Sequence, residues 1–285
     1  MNFNLQDVRQ TKEYARFMRK MGWQVEKINK TFIYIKKLPL LPFSVIKILR
    51  GKKPIQLGEL KKLIRKYRPL FFKLQPFHLR GVLSWKLDQH PLIPTKTIWL
   101  DLGKSEKQLL KEMKPKMRYN IGLVLRKGAK TKIVSGDKMT DKQLMDFYHL
   151  WRQNKPFNWL FRPNFNELKY LKESFKKKCF FVLVLKDKTL VSQVFILCSK
   201  NMAFDWFGAS SPQGRKLFAK SLVIWEAIKE SKKRGLKIFD FEGIYDERYP
   251  WLNRGWRGFS RFKKGFGGEE IEFDESLIKL LPGGA

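Results

Sequence analysis

Acidic residues are scarce in this chain, and so are the residue types that build disulfide scaffolds and most metal sites. Its 285 residues include 26 Asp and Glu against 60 Lys and Arg, with only two cysteines and three histidines. Cys179 and Cys198 both sit in apolar runs. This excludes a disulfide scaffold and leaves two buried thiols of a reduced, cytosolic protein as the expectation. His78, His90 and His149 are isolated, with no pair at metal-ligand spacing, so no metal site is expected. Long apolar runs are missing too. The most apolar early stretch, Thr31 to Leu49, is interrupted by Lys36, Lys37, Pro39 and Pro42, and no run approaches the ~20 residues a spanning helix needs. The opening MNFNLQDVRQ lacks the basic-then-apolar layout of a secretion signal, so a cytoplasmic location is expected.

What is present is a strongly basic chain with ample core material. Hydrophobic residues make up 43% and aromatics 14%, which argues against disorder. The length suits two ordinary domains or one large one. The net charge of +34 is uneven. Residues 1–130 carry 31 basic and 8 acidic residues, and residues 131–285 carry 29 and 18. Such a field attracts polyanions: nucleic acid, an anionic membrane face or a phosphorylated substrate. A uniformly Lys-rich proteome would give the same excess. The basic residues flanking Leu38 to Leu49 suit peripheral contact with the inner face of an anionic membrane. A strand and loop at the edge of a core is the competing reading of that stretch.

Strands and helices alternate. A helix is expected over 11–22, ended by Gly22. Gln24 to Ile28 and Thr31 to Lys37 read as paired strands turning at Asn29 and Lys30. Gly58 to Tyr67 reads as a basic helix, and Leu70 to Leu74 and Thr97 to Leu102 as strands. Ser105 with Gln108 is a capping-box start, and Leu109, Met113, Met117 and Ile121 mark one helical face. Pro115 should kink or split that helix. A second unit begins near Thr131, with another capping box at Thr140 and Gln143. Asn154 to Asn166 reads as an aromatic loop. Phe180 to Ser211 reads as three antiparallel strands, followed by one long helix over Gln213 to Arg234 and a strand over Leu236 to Phe241.

Three strands, a long helix and a strand resemble the core of the GNAT acyltransferases. A GNAT enzyme using acyl-CoA would carry a Q/R-x-x-G-x-G/A loop before the long helix, where helix amides hold a pyrophosphate. Here SSPQGRKLFAKS supplies Gln213 and Arg215 but no glycine at the following offsets, which argues against CoA as donor.

Three further segments together resemble the FemABX peptidyltransferases, which move amino acids from charged tRNA onto peptidoglycan precursors. They are TIWLDLGKSEKQLLKEMKPKMRYNIGLVLRKG (Thr97 to Gly128), FDWFGASSPQGRKLFAKSLVIWEAIKESKKRGLKIFDFEGI (Phe204 to Ile244) and SRFKKGFGGEE (Ser260 to Glu270). They stand in that family's order and cover about a third of the chain. The resemblance implies an α+β fold of two tandem GNAT-like acyltransferase domains. One would span 1–130, completed by 271–285, and the other 131–270. It also implies aminoacyl-tRNA as co-substrate with no bound cofactor, and a stem peptide of UDP-MurNAc-pentapeptide or lipid II as acceptor, in building the interpeptide bridge. The chain departs from the family where Ser221 and Ile224 replace a Tyr and a Gln expected to face the substrate groove.

Aminolysis of an activated ester needs alignment, a neutral amine and stabilisation of the developing oxyanion, and no nucleophilic triad. By resemblance Lys263 is the candidate cation beside the reacting ester, with Lys264 as its alternate. Asp101 is the candidate proton acceptor. Lys36 and Arg215 are candidates for the acceptor's pyrophosphate. Arg118, Tyr119 and Asn120 occupy the family's RYN position, to bind substrate or hold the helix. Lys61, Lys62, Arg65 and Lys66 share a helix face that suits tRNA phosphates. Two other readings stand beside this one: a GNAT-fold acyltransferase on a non-peptidoglycan acceptor, and a non-catalytic nucleic-acid-binding protein.

Overall fold

A computed structural model describes residues 5–51, 55–76, 85–153, 164–252 and 254–281. The aromatic stretch 154–163 and His78 lie outside the described residues. In chain order the elements are α1 (Lys12–Lys20), β1 (Gln24–Ile28), β2 (Thr31–Lys37), β3 (Ser44–Gly51), α2 (Leu57–Tyr67), β4 (Pro69–Pro76), β5 (Lys86–Leu87) and β6 (Lys96–Asp101). Next come α3 (Glu106–Glu112), α4 (Pro115–Arg126), β7 (Lys130–Ser135), α5 (Asp141–Gln153), α6 (Phe165–Phe175), β8 (Cys179–Lys186), β9 (Thr189–Cys198) and β10 (Met202–Ser210). The last are α7 (Pro212–Lys216), α8 (Ala219–Lys233), β11 (Ile238–Asp240), α9 (Trp256–Lys264), β12 (Glu269–Glu272) and β13 (Leu277–Leu280).

The chain divides into two compact units. The larger holds Ile98–Ile244 and Gly255–Glu270 with the first residues of the chain. The smaller holds Arg9–Thr97, Tyr245–Arg254 and Ile271–Ala285. The boundary is therefore near residue 97, not the expected 130. The reason is the apolar stripe of α3 and α4. Leu109, Met113, Met117, Ile121 and Val124 are buried in one cluster with β8, β9 and α8, so those helices are part of the larger unit's core.

The smaller unit is built on the sheet β1-β2-β3-β4-β13-β5. The β1–β2 hairpin turns at Asn29 and Lys30, both left-handed, as a two-residue hairpin requires. Ser44–Gly51 is a core strand: Ile46 and Ile48 are buried against Leu60 and Leu63 of α2. The excursion 245–254 is pinned by Arg248, which donates to Asp246 and to the carbonyls of Thr95 and Phe273.

The larger unit is built on β12-β6-β11-β10-β9-β8-β7. β8 and β9 are apolar on both faces because helices cover both. Phe181 stacks on Phe195 with centroids 4.3 Å apart, and Leu222, Ile224 and Ile228 of α8 are fully buried. The expected break at Pro115 is real. α3 ends at Glu112, and Pro115 starts α4 at a position whose amide no helix would use. The expected single helix over 213–234 is instead two. Phe218 takes φ +56° between α7 and α8, which ends one helix and starts the next. Cys179 and Cys198 are buried and free, and burial pushes the Cys198 thiol up to about 12.

Candidate active site

The larger unit's sheet opens at one point. β10 pairs in parallel with β11 over three residues only, Met202–Phe204 against Ile238–Asp240. β11 then stops, while β10 runs on to Ser210. The β9–β10 pairing also slips between Asp205 and Phe207, so Trp206 is an extra residue in a bulge. Bulges of this kind re-aim side chains and bend the strand. The outcome is a parted pair of strands, a natural slot for a ligand.

Lys263 sits at the mouth of this slot. It projects from α9 and is only 2% exposed. The chain beyond β11 curls around its ammonium, because Glu242 and Gly243 both have left-handed φ. Lys263 Nζ donates to the Phe241 carbonyl and, at 2.7 Å, to the Gly243 carbonyl. The Glu242 carbonyl stands at 3.5 Å. Two N–H bonds are thus well used, and the third has a partner too distant to hold it. The Phe259 ring lies 3.8 Å from the nitrogen. Burial lowers the Lys263 pKa to about 8, aided by repulsion from Lys220 and opposed by the carboxylates of Asp205, Glu242 and Asp240. Its ammonium is thus easier to deprotonate than that of an exposed lysine.

Next to it is a cavity of 340 Å³ whose wall includes Asn120, Arg215, Lys220, Ser221, Phe259 and Phe262. Lys263 does not itself line it. Lys220 Nζ tucks against Gly208, where a methyl group would come within 2.2 Å of the nitrogen. Among the described residues, Lys220 and Asn120 form no side-chain hydrogen bond or ion pair. Burial lowers the Lys220 pKa, against the attraction of Asp205. An unpartnered ammonium opening on an aromatic-walled cavity suits an anionic or oxyanionic ligand. A larger hollow of 540 Å³ lies between α5 and the β8–β9 hairpin, lined by Asp146, His149 and Lys188 among others. It includes none of the groups around Lys263.

Of the sequence candidates, Lys263, Arg215 and Asn120 are brought to this region. Arg215 donates to the Ser210 carbonyl at 2.9 Å and lines the cavity. The others serve elsewhere. Asp101 pairs with Ile238, the first residue of β11, whereas Lys263 grips carbonyls beyond its last. Its Oδ1 accepts from the Gly103 amide at 2.8 Å in a local turn. Arg118 donates to the carbonyls of Leu110, Lys111 and Met113, closing the end of α3. Tyr119 is 59% exposed, with the Arg126 guanidinium 5.9 Å from its ring. Lys264 pairs with Glu270 at 2.5 Å. Lys36 belongs to the smaller unit, where its ammonium caps α1 through the carbonyls of Met21 and Gly22. Ser221 lines the cavity, but Ile224 is core rather than groove. Sequence reasoning missed Asp205 and Lys220. A charged residue in the strand AFDWF and a lysine opening a helix are the signals that were there. No metal-binding group of His, Cys, Asp and Glu occurs among the described residues.

Comparison with known proteins fits this geometry. Residues 115–250 match the acetyltransferase (GNAT) domain family. Among solved structures, the crystal structure of FemX superposes with a TM-score of 0.80 at 14% identity, covering 98% of this chain and 94% of that one. This chain has the FemX fold. The C-terminal domain of a putative lysylphosphatidylglycerol synthetase from Agrobacterium fabrum is also similar, with TM-score 0.66, 14% identity and coverage of 95% and 88%. A tandem GNAT protein from the clavulanic acid pathway follows at 0.51, 11% identity and coverage of 87% and 77%. Among curated proteins, none matches this sequence. The FemX-type fold is thus α+β with two tandem GNAT-like units, and the parted strands lie in the unit that carries the GNAT match.

Proposed function

We propose that this chain is an aminoacyltransferase that moves an amino acid from aminoacyl-tRNA to a stem-peptide amine of a peptidoglycan precursor. The observation that carries the reading is Lys263. It is a buried cation at the mouth of the β10–β11 opening, with one N–H bond poorly used and the Asp205 carboxylate acting on its charge. The acceptor amine attacks the ester carbonyl carbon. A C–N bond forms, the C–O bond to the tRNA ribose breaks, and the amine proton ends on the ribose oxygen. Lys263 stabilises the oxyanion that develops on the carbonyl oxygen. Asp205, rather than Asp101, takes the role of relaying the proton. Arg215 and Lys220 face the anionic part of the acceptor. The missing Q/R-x-x-G-x-G/A loop supports a tRNA ester over CoA as donor.

A second reading has its own support. Similarity to a lysylphosphatidylglycerol synthetase domain, with Ser221 in place of the family's tyrosine, favours a lipid hydroxyl as acceptor. One experiment tests both: purified protein, labelled aminoacyl-tRNA pools, and either a muropeptide precursor (nucleotide- or lipid-linked) or phosphatidylglycerol. Label in the muropeptide, abolished by RNase, supports the first reading. Label only in the lipid replaces it with the second, and label in neither sinks both.

A further inference from the structure

In the smaller unit, three turns meet at one end of the sheet. β1 and β2 are antiparallel, β2 and β3 antiparallel, and β3 and β4 parallel. The start of β1, the end of β2 and the starts of β3 and β4 therefore share an end. Ser44 ties two of the turns together, its amide and hydroxyl donating to the carbonyls of Arg68 and Tyr67. Lys36 ties in the third through Met21 and Gly22.

The β2–β3 turn is apolar and outward-facing. Pro39, Leu40, Leu41 and Pro42 are all exposed, Leu40 completely and Leu41 by 53%. Its backbone is poor in free donors. Leu38 donates to the Phe43 carbonyl at 2.9 Å and Leu41 to the Leu38 carbonyl at 3.4 Å. Pro39 and Pro42 have no amide hydrogen. Leu40 carries the one unpartnered amide of residues 38–42 among the described residues. It is held at φ +62°, a conformation that leucine pays for. At the same end by chain position are Arg19 in the last turn of α1, Lys37 at the end of β2, Arg65 in the last turn of α2 and Arg68 before β4, all exposed. Residues 20–24, 37–44 and 67–69, which form these turns, contain no Asp or Glu, and Glu26 of β1 is already held by Lys66 at 2.6 Å.

We infer that this end of the smaller unit docks on an anionic lipid bilayer, with Leu40 and Leu41 inserted at the headgroup–acyl boundary and the basic ring against lipid phosphates. A tip with few free amides enters apolar surroundings at low cost. Paired aliphatic insertion and a polybasic rim are the two signals that stable peripheral binding needs. Among the described residues no helix is long and apolar enough to cross a membrane. The proposal is independent of the transfer chemistry.

The test is flotation of the purified chain with phosphatidylglycerol/phosphatidylcholine vesicles and with pure phosphatidylcholine vesicles. Wild type should float with the anionic vesicles and bind neutral ones at least about tenfold more weakly. Leu40→Asn/Leu41→Asn should lose about tenfold or more of the anionic binding, with thermal stability equal or higher, because both side chains are exposed and Asn tolerates the left-handed φ at position 40. Arg65→Gln/Arg68→Gln should flatten its salt dependence. Leu40→Trp should show a blue-shifted emission on vesicle addition. No flotation of wild type, or flotation of the Asn variant equal to wild type, would overturn the proposal. So would a tip whose loss affects only self-association, which would assign it to a second copy, or only tRNA binding.

Discussion

Lys263 shows how burial converts a common residue into a tuned one. In the folded chain it releases its proton near pH 8, and in the unfolded chain near 10.5. Between those values the unfolded state binds more protons, so stability rises with pH. The rise amounts to roughly 3 kcal/mol across the window, and Lys263→Met should abolish it in urea titrations from pH 7.5 to 10.5. The same variant should lower transfer by about 10²–10³-fold; a loss within twofold would remove Lys263 from the chemistry. If the ammonium is the active form, kcat falls above about pH 8, and Lys263→Arg should lack that descending limb. Lys220 makes a complementary case. An unpartnered ammonium in a cavity costs stability, so Lys220→Met should raise the urea midpoint while weakening acceptor binding. A lower midpoint would mean that Lys220 holds the fold instead.

At the scale of elements, chain punctuation was legible and its consequences less so. Capping at Ser105 and Thr140, the break at Pro115 and the hairpin at Asn29–Lys30 all follow from local chemistry that needs no tertiary partner. The break at Phe218 did not show, because nothing local favours a left-handed phenylalanine. The Gly-rich end of the SRFKKGFGGEE segment packs closely against β6. Gly268 has φ +90°, and a methyl group there would lie 2.6 Å from the Trp99 carbonyl oxygen. Gly268→Ala should therefore cost about 2 kcal/mol or more. Gly258→Ala, in α9 with open space around it, should be neutral or stabilising by about 0.5–1 kcal/mol. Equal effects of the two in denaturant melts would contradict the close approach at Gly268.

For the whole molecule, charge is the dominant feature. With +34 formal charges, binding to tRNA should be largely counterion release. Affinity should fall about 10³-fold or more between 50 and 200 mM salt if six or more phosphates are neutralised. A shallow salt slope would argue against a tRNA donor. Because Lys263 is buried, the transfer step itself should be far less salt-sensitive than binding, since buried groups are screened little. Single-turnover rates at saturating tRNA would separate the two.

The sequence by itself determined the alternation of strands and helices, the buried thiols, the basic field and the three segments that resemble the FemABX family. Each depends on local pattern, composition or ordered motifs. Only the tertiary structure decided where the charges lie. It put Asp101 beside the first residue of β11, used Lys36 and Arg118 at helix ends, and brought the charges of Asp205 and Lys220 to bear on Lys263. It also moved the unit boundary to residue 97. Burial and strand parting arise from packing between segments far apart in sequence, and a linear pattern carries no record of which side chains that packing leaves without partners.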